Sequence, residues 1–285
     1  MGGRRRNVGR VFGRKDKIEI KTPEQIEKMR RAGLVVACVL EVLENEIHPG
    51  ITTNDLDRIA RAELKSHGAD SNFLGYYGYP SVVCTSVNHA VVHGMPSPAV
   101  LHDGDIVSID FGAIVDGWHG DAAITVHVGT PHPDHVALSD VTRDSLWAGL
   151  SKAIAGNRLT DISHAIESTV RAHGDYGILE EYVGHGIGTK MHMEPSVPNF
   201  GSPGRGVELV PGMALAIEPM VTMGARHVHT LSDNWTVVTD DGSHASHWEH
   251  TVAITEDGPW VLTAADGGAE YFEAMGIDSP AIRRA

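Results

Sequence analysis

Apolar residues recur every three or four positions through Ile26, Met29, Leu34, Ala37, Leu40 and Leu43, the spacing of one helix face. Thr22, Pro23 and Gln25 precede them all as an N-cap, a first-turn proline and the return partner of a capping box. Pro49 and Gly50 stop the pattern, so a helix is predicted from residue 23 to about 46. A second stripe, Leu56, Ile59, Ala60 and Leu64, predicts a helix from Thr53 to His67, with Gly68 past its end. From 69 to 100 the spacing gives way to Gly, Tyr, Pro and short β-branched runs, including a strand through Val82 to Thr85. Asp103-Gly104 predicts a turn, Ile106, Val107 and Ile109 a strand running into Asp110, and Asp116-Gly117 a hairpin returning through Asp121 to Val128. Helices are predicted again over 134–155 and 160–173, the second capped by Thr160 and ended by Gly174. Strands resume at Ile178 and after Pro211-Gly212, and two final strands flank Glu249.

The pattern repeats. Gly50, Asp55, Leu56, His67 and Gly68 match Gly156, Asp161, Ile162, His173 and Gly174 at an offset of 106. Gly104 and Asp110 match Gly212 and Glu218 at an offset of 108. Each half reads as two helices, a loop, then a turn and a strand bearing a carboxylate. Two α+β halves about a pseudo-twofold axis would bring those carboxylates together. The expected organisation is a basic flexible tail over 1–20, one catalytic domain over 21–263 with halves about 21–130 and 134–263, and a C-terminal tail over 264–285, Ala/Gly-rich and acidic.

Charge narrows the functions. The net charge is −14, yet residues 1–21 carry eight Lys/Arg against Asp16 and Glu19, leaving the remainder at −20. Such an acidic body repels phosphates, which argues against nucleic-acid binding outside the basic tail. That tail could touch RNA, as on a ribosome. No apolar run approaches a membrane span, and the N-terminus lacks the apolar stretch of a signal peptide. Cys38 and Cys84 read as free thiols, so a cytoplasmic location is expected. Of the 18 histidines, His132, His135, His164 and His227 have no partner pattern and read as surface residues.

Five side chains carry the candidate chemistry: Asp110 in IVSIDFG, Asp121 in WHGDAAI, His185 in GHGIG, Glu218 in LAIEPM and Glu249 in HWEHT. Asp110 and Asp121 should stand across their hairpin at the spacing of directly opposed side chains, about 4.5–5.5 Å. Without a cation or proton between them they would repel. The glycines around His185 permit sharp turns that would expose its imidazole. Four carboxylates and one imidazole suit Mn²⁺, Fe²⁺, Co²⁺ or Zn²⁺, and bridging carboxylates would let the set hold two ions that polarise one water. His93 and His192 are candidate donors that would polarise a substrate carbonyl or shuttle protons.

The motifs HGMP, DGDIVSIDFG, GWHGDAA, GHGIG, MHMEP, AIEPM, DNWTVVT and EHT follow one another in an order that resembles the type I methionine aminopeptidases of the pita-bread metallohydrolase family, over about residues 20–262. The resemblance implies the pseudo-twofold pita-bread fold with a central antiparallel sheet. It implies that Asp121 and Glu249 bridge two divalent ions, that Asp110 chelates one, and that His185 and Glu218 complete the other. It implies Glu218 as proton carrier, His93 and His192 on the substrate amide and tetrahedral intermediate, and Phe73, Tyr76, Tyr79, Cys84, Met191 and Trp235 around a methionine side chain. Phe73, Met191 and Ala122 depart from the family's commonest pattern. The implied reaction is removal of the initiator methionine from nascent polypeptides when the second residue is small, by a monomeric enzyme.

Two alternatives stand beside it. An Xaa-Pro aminopeptidase of the same fold would share the ligands but usually carries a large N-terminal domain, and only about 20 residues precede the first helix here. A non-catalytic RNA- or ribosome-binding homologue would not need all five ligands and both accessory histidines.

Overall fold

The computed structural model describes residues 18–283. The first 17 residues, and with them nearly all of the basic tail and the ribosome contact read into it, lie outside the described residues. Helix α1 (Pro23–Glu46) opens on the expected capping box, in which Thr22 Oγ1 accepts from the Gln25 amide at 3.3 Å and Gln25 Oε1 from the Thr22 amide at 2.9 Å. Its buried face differs from the predicted stripe. Leu34 is exposed, and Ile26, Met29, Ala32, Gly33, Val36, Val39, Leu40 and Leu43 are buried. Gly33 explains the rotation: a Cβ there would lie 2.0 Å from the Leu262 carbonyl oxygen, so the helix turns its smallest residue onto the sheet.

Helix α2 (Thr53–Ser66) packs beside α1 over a core that includes Leu43, Leu56, Val107, Ile109 and Phe111. Helices α3 (Pro133–Leu150) and α4 (Leu159–His173) pack over a second core that includes Leu146, Ile162, Leu215, Ile217 and Val252. Two corrections fall here. Helix α3 ends at Leu150, where the chain turns, and α4 is capped at Arg158, two residues before Thr160. The Asp161 carboxylate accepts from the Arg158 amide at 2.7 Å, and Thr160 Oγ1 donates to the Arg205 carbonyl instead.

Every strand pair is antiparallel. In the largest sheet, strands Ile106–Val115 and Trp118–His127 form the predicted hairpin, and Trp118–His127 pairs with Glu249–Thr255 at the centre. Outward on the other side come Ala214–Ile217, Gly184–Gly186 and Met193–Val197. Strand Val83–Val87 lies outside Ile106–Val115 as Gly184–Gly186 lies outside Ala214–Ile217, so both sides follow the same plan. This is the pita-bread arrangement, with helices on one face and the other face free to line a site. The described residues past 264 are packed too. Helix α5 (Ala269–Ala274) buries Phe272 and stacks Tyr271 on Trp147 of α3 with ring centroids 3.9 Å apart.

Candidate metal centre

The registers place the acidic residues in two rows on one sheet face. One row runs Cys84, Asp110, Ala123, Glu249 across four strands, and Glu218 follows directly after the strand Ala214–Ile217. The next row runs Gly112, Asp121 on the hairpin and Ala216, His185 on the far side. Asp110 and Asp121 are therefore diagonal neighbours, not directly opposed. The two-residue turn pairs Val115 with Trp118, which sets Asp110 against Ala123 and Asp121 against Gly112. Small residues beside each carboxylate leave room between rows. A Cβ on Gly112 would lie 2.7 Å from Asp121 Oδ1 and 2.2 Å from Asn72 Nδ2.

His185 is buried within an extended strand, not displayed on a turn. Its glycines serve close strand approach: a Cβ on Gly184 would lie 2.3 Å from the Ala216 carbonyl oxygen, and one on Gly186 2.2 Å from that of Glu194. His185 Nδ1 lies 3.0 Å from the Gly186 carbonyl oxygen, so it carries the proton and Nε2 turns its lone pair toward Glu218 Oε1, 3.7 Å away. The Glu218 carbonyl accepts from Asn199 Nδ2 at 3.0 Å.

Asp110, Asp121, His185, Glu218 and Glu249 all line one cavity. His93, His192, Phe73, Tyr76, Tyr79, Cys84, Met191 and Trp235 line it as well. Phe73, Tyr79, Cys84 and Met191 form a buried apolar cluster with Tyr76 and Trp235 against it. Tyr79 Oη is tied down by the Val83 and Gly94 carbonyls at 3.1 and 3.2 Å. Tyr76 Oη and His192 Nδ1 are 2.8 Å apart. His93 has φ +58°, a left-handed conformation uncommon for a non-glycine residue and frequent where a side chain is held for function. Ala122, by contrast, faces the opposite side and packs in the first core.

The cavity also holds a residue that sequence reasoning missed, His247. Its Nε2 lies 3.6 Å from Glu218 Oε2 and 4.0 Å from Glu249 Oε2. The signal was present, since His247 and Glu249 are two apart in a stretch of strand and so share a face. His135, read as a surface residue, is buried against His244.

The residues fit a divalent cation. No Lys or Arg is among the described residues that line the cavity. Asp110 Oδ1, Asp121 Oδ1, Glu249 Oε1 and His247 Nε2 are buried with no hydrogen-bond partner among the described residues. Burial pushes the Asp110 carboxyl up to about 7 and that of Glu218 up to about 8. Burial, then neighbouring carboxylates, pushes Asp121 and Glu249 well above the usual range. Burial holds the His185 imidazole down at about 3 and that of His93 at about 4, so both are neutral at pH 7. Acids crowded this way need protons or cations. Two triads, Asp121–His185–Glu249 and Glu218–His247–Glu249, each bring three ligand atoms within 4.8 Å of one another and share Glu249.

Fold and site together define a metal-dependent hydrolase of pita-bread architecture. Residues 27–256 match the model of metallopeptidase family M24, and the chain belongs to that family. It is 52% identical over 250 residues to the methionine aminopeptidase of Clostridium acetobutylicum, covering 87% of this chain and 100% of that one. It is 50% identical over 264 residues to methionine aminopeptidase 1 of Mycobacterium tuberculosis, covering 90% of this chain and 99% of that one. Among solved structures, methionine aminopeptidase from Thermotoga maritima superposes with a TM-score of 0.85 at 44% identity, over 87% of this chain and 100% of that one. Prolidase from Pyrococcus furiosus, at 23% identity and a TM-score of 0.71 over 88% of this chain and 67% of that one, shares the fold.

Proposed function

We propose that this chain is a cytoplasmic, monomeric methionyl aminopeptidase that removes the initiator methionine from nascent polypeptides whose second residue is small. The observation that carries the reading is the make-up of the cavity that holds the acids. One wall is carboxylate and imidazole, the other is an apolar recess, and no Lys or Arg among the described lining residues balances the acids. Relatives at 50–52% identity over nearly their full length bear the name methionine aminopeptidase, which supports the same activity here. The solved structures named for Xaa-Pro substrates lie at 20–22% identity and support the fold alone.

Asp110, Asp121, His185, Glu218 and Glu249 would hold two divalent ions, drawn from Mn²⁺, Fe²⁺, Co²⁺ and Zn²⁺. When bound, such ions supply Lewis acidity and lower the pKa of water. The apolar recess takes the methionine side chain, since the walls formed by Phe73, Tyr79, Cys84, Met191 and Trp235 suit a soft, flexible thioether. Tyr76 orients the His192 ring through its hydroxyl. His93 and His192 donate to the substrate carbonyl and to the oxyanion that develops from it; as a neutral imidazole His93 keeps one N–H to give. Glu218 would accept a proton and pass it to the leaving amine. Contact with the ribosome would fall to the basic N-terminal stretch.

The test is peptide cleavage. Met-Gly-Met-Met should release free methionine, the N-acetylated peptide should be inert, and Met-Leu and Ala-Pro peptides should be poor substrates. Preferred cleavage of Ala-Pro would transfer the chain to the Xaa-Pro group, and no cleavage of any peptide by metal-loaded protein would overturn the reading.

A further inference from the structure

His247 is not an ordinary core histidine. It is 2% exposed, and its Nε2 has neither solvent nor a hydrogen-bond partner among the described residues. The two atoms it faces, Glu218 Oε2 at 3.6 Å and Glu249 Oε2 at 4.0 Å, lie beyond hydrogen-bonding reach. They lie at the spacing of ligands to one ion, because two donors each about 2.1 Å from a metal stand on the order of 3–4 Å apart. His185 Nε2 and Glu218 Oε1 show the same spacing, 3.7 Å, so Glu218 turns one oxygen to each imidazole.

The backbone holds His247 in that position. Its amide donates to Ser108 Oγ and Thr125 Oγ1, both at 3.1 Å, and its carbonyl accepts from Thr125 Oγ1 at 2.8 Å. Thr125 in turn bonds Ser108 and Ser246 through its hydroxyl at 2.9 and 3.0 Å. This buried hydroxyl network fastens strand Ala245–His247 to the Asp110 hairpin, and Met220, two residues after Glu218, pairs with His247 on the other side.

We propose that His247 is a sixth protein ligand of the metal centre, its Nε2 joining Glu218 and Glu249 on one ion. The inference rests on the metal-dependent reading of this cavity and adds to it a second imidazole. Its consequence is selectivity. An additional nitrogen ligand favours Zn²⁺ and Co²⁺ over Mn²⁺, which prefers oxygen.

Two experiments test it. Chelated wild-type protein and the His247→Gln variant are titrated calorimetrically with Zn²⁺, Co²⁺ and Mn²⁺. His247→Gln is expected to lose about 10–100-fold or more in affinity for Zn²⁺ and Co²⁺ at one ion, the range or above of that for losing a supporting group, and less for Mn²⁺. The second experiment needs no variant to fold: zinc-loaded wild-type protein labelled with ¹⁵N-histidine should show coordination shifts at Nε2 of two imidazoles, His185 and His247. Equal affinities in wild type and variant, or a coordination shift at His185 alone, would overturn the sixth ligand and leave the metal centre standing. Wild-type protein that takes up none of the three ions would overturn the metal reading itself.

Discussion

Thr251 grips the backbone of Asp121 with one hydroxyl, accepting from its amide at 3.1 Å and donating to its carbonyl at 2.8 Å. The paired register between the central strands ends at His250 and Ala122, and the next residues would be Thr251 and Asp121. The strands part there, and the hydroxyl replaces the missing ladder bonds. The Thr251 amide is itself held by Thr263 Oγ1 at 3.0 Å. Asp121 and Glu249 thus approach on a widened seam in which the Asp121 amide and carbonyl and the Thr251 amide all keep partners.

Thr251→Val should therefore destabilise the metal-free protein by roughly 2–4 kcal/mol, because two buried backbone groups lose their partner. It should also weaken metal binding, while Thr251→Ser restores both. Denaturant unfolding and calorimetric metal titration of the three proteins check this.

Gly112 has no left-handed φ, so its requirement is space alone. In Gly112→Ala the new methyl would displace Asn72 and the Asp121 carboxylate. Asn72 also donates to the Gly120 carbonyl at 3.0 Å and bonds His119 at 2.8 Å, so it has little freedom to yield. The variant should fold with reduced stability and bind metal at least about 10-fold more weakly, the effect expected when the support of a ligand is disturbed. Metal titration against wild type measures it.

The buried acids also set a pH dependence. In the folded metal-free chain Asp110 and Glu218 keep protons up to about 7 and about 8, whereas unfolded carboxyls lose them near about 4. Between those values the folded state binds more protons, so stability falls as pH rises. His185 and His93, held at about 3 and about 4, act in the opposite sense. Their effect is confined below the ordinary histidine value of about 6.5, where the unfolded chain takes up protons they refuse. From about pH 6.5 to 8.5 the carboxyls alone remain, and the Tm of chelated protein should drop. Saturating Mn²⁺ should flatten that drop, because the ion takes the same oxygens and displaces their protons. Calorimetric scans with chelator and with Mn²⁺ across this range give the comparison.

His192→Ala should reduce kcat on Met-Gly-Met-Met by about 10²–10⁴-fold, the span of a lost proton donor, while metal stoichiometry stays unchanged. Tyr76→Phe, which removes only the 2.8 Å contact that orients the ring, should cost less. Steady-state kinetics alongside metal analysis separates these from loss of the centre.

Much of this was legible in the chain. The capping box of α1 and the turns at Asp103-Gly104 and Asp116-Gly117 are local chemistry, and local chemistry can be read residue by residue. What was lost depends on contacts between distant segments. Leu34 turns outward because Gly33 meets the Leu262 carbonyl, a partner 229 residues along the chain. Thr160 yields the cap to Arg158 because Arg205 engages its hydroxyl. The glycines beside His185 look like turn residues in isolation, and only the neighbouring strands show that they exist for close packing. The identity of the acids was readable from their apolar settings. Their two-row order needed the register, and His247 needed its strand to be seen beside Glu218.

The most direct measurement is anomalous scattering from crystals of this protein soaked in Mn²⁺. The account predicts manganese within coordination distance of both Asp121 and Glu249. Manganese absent from the cavity, or bound with those two carboxylates on no common ion, would contradict it.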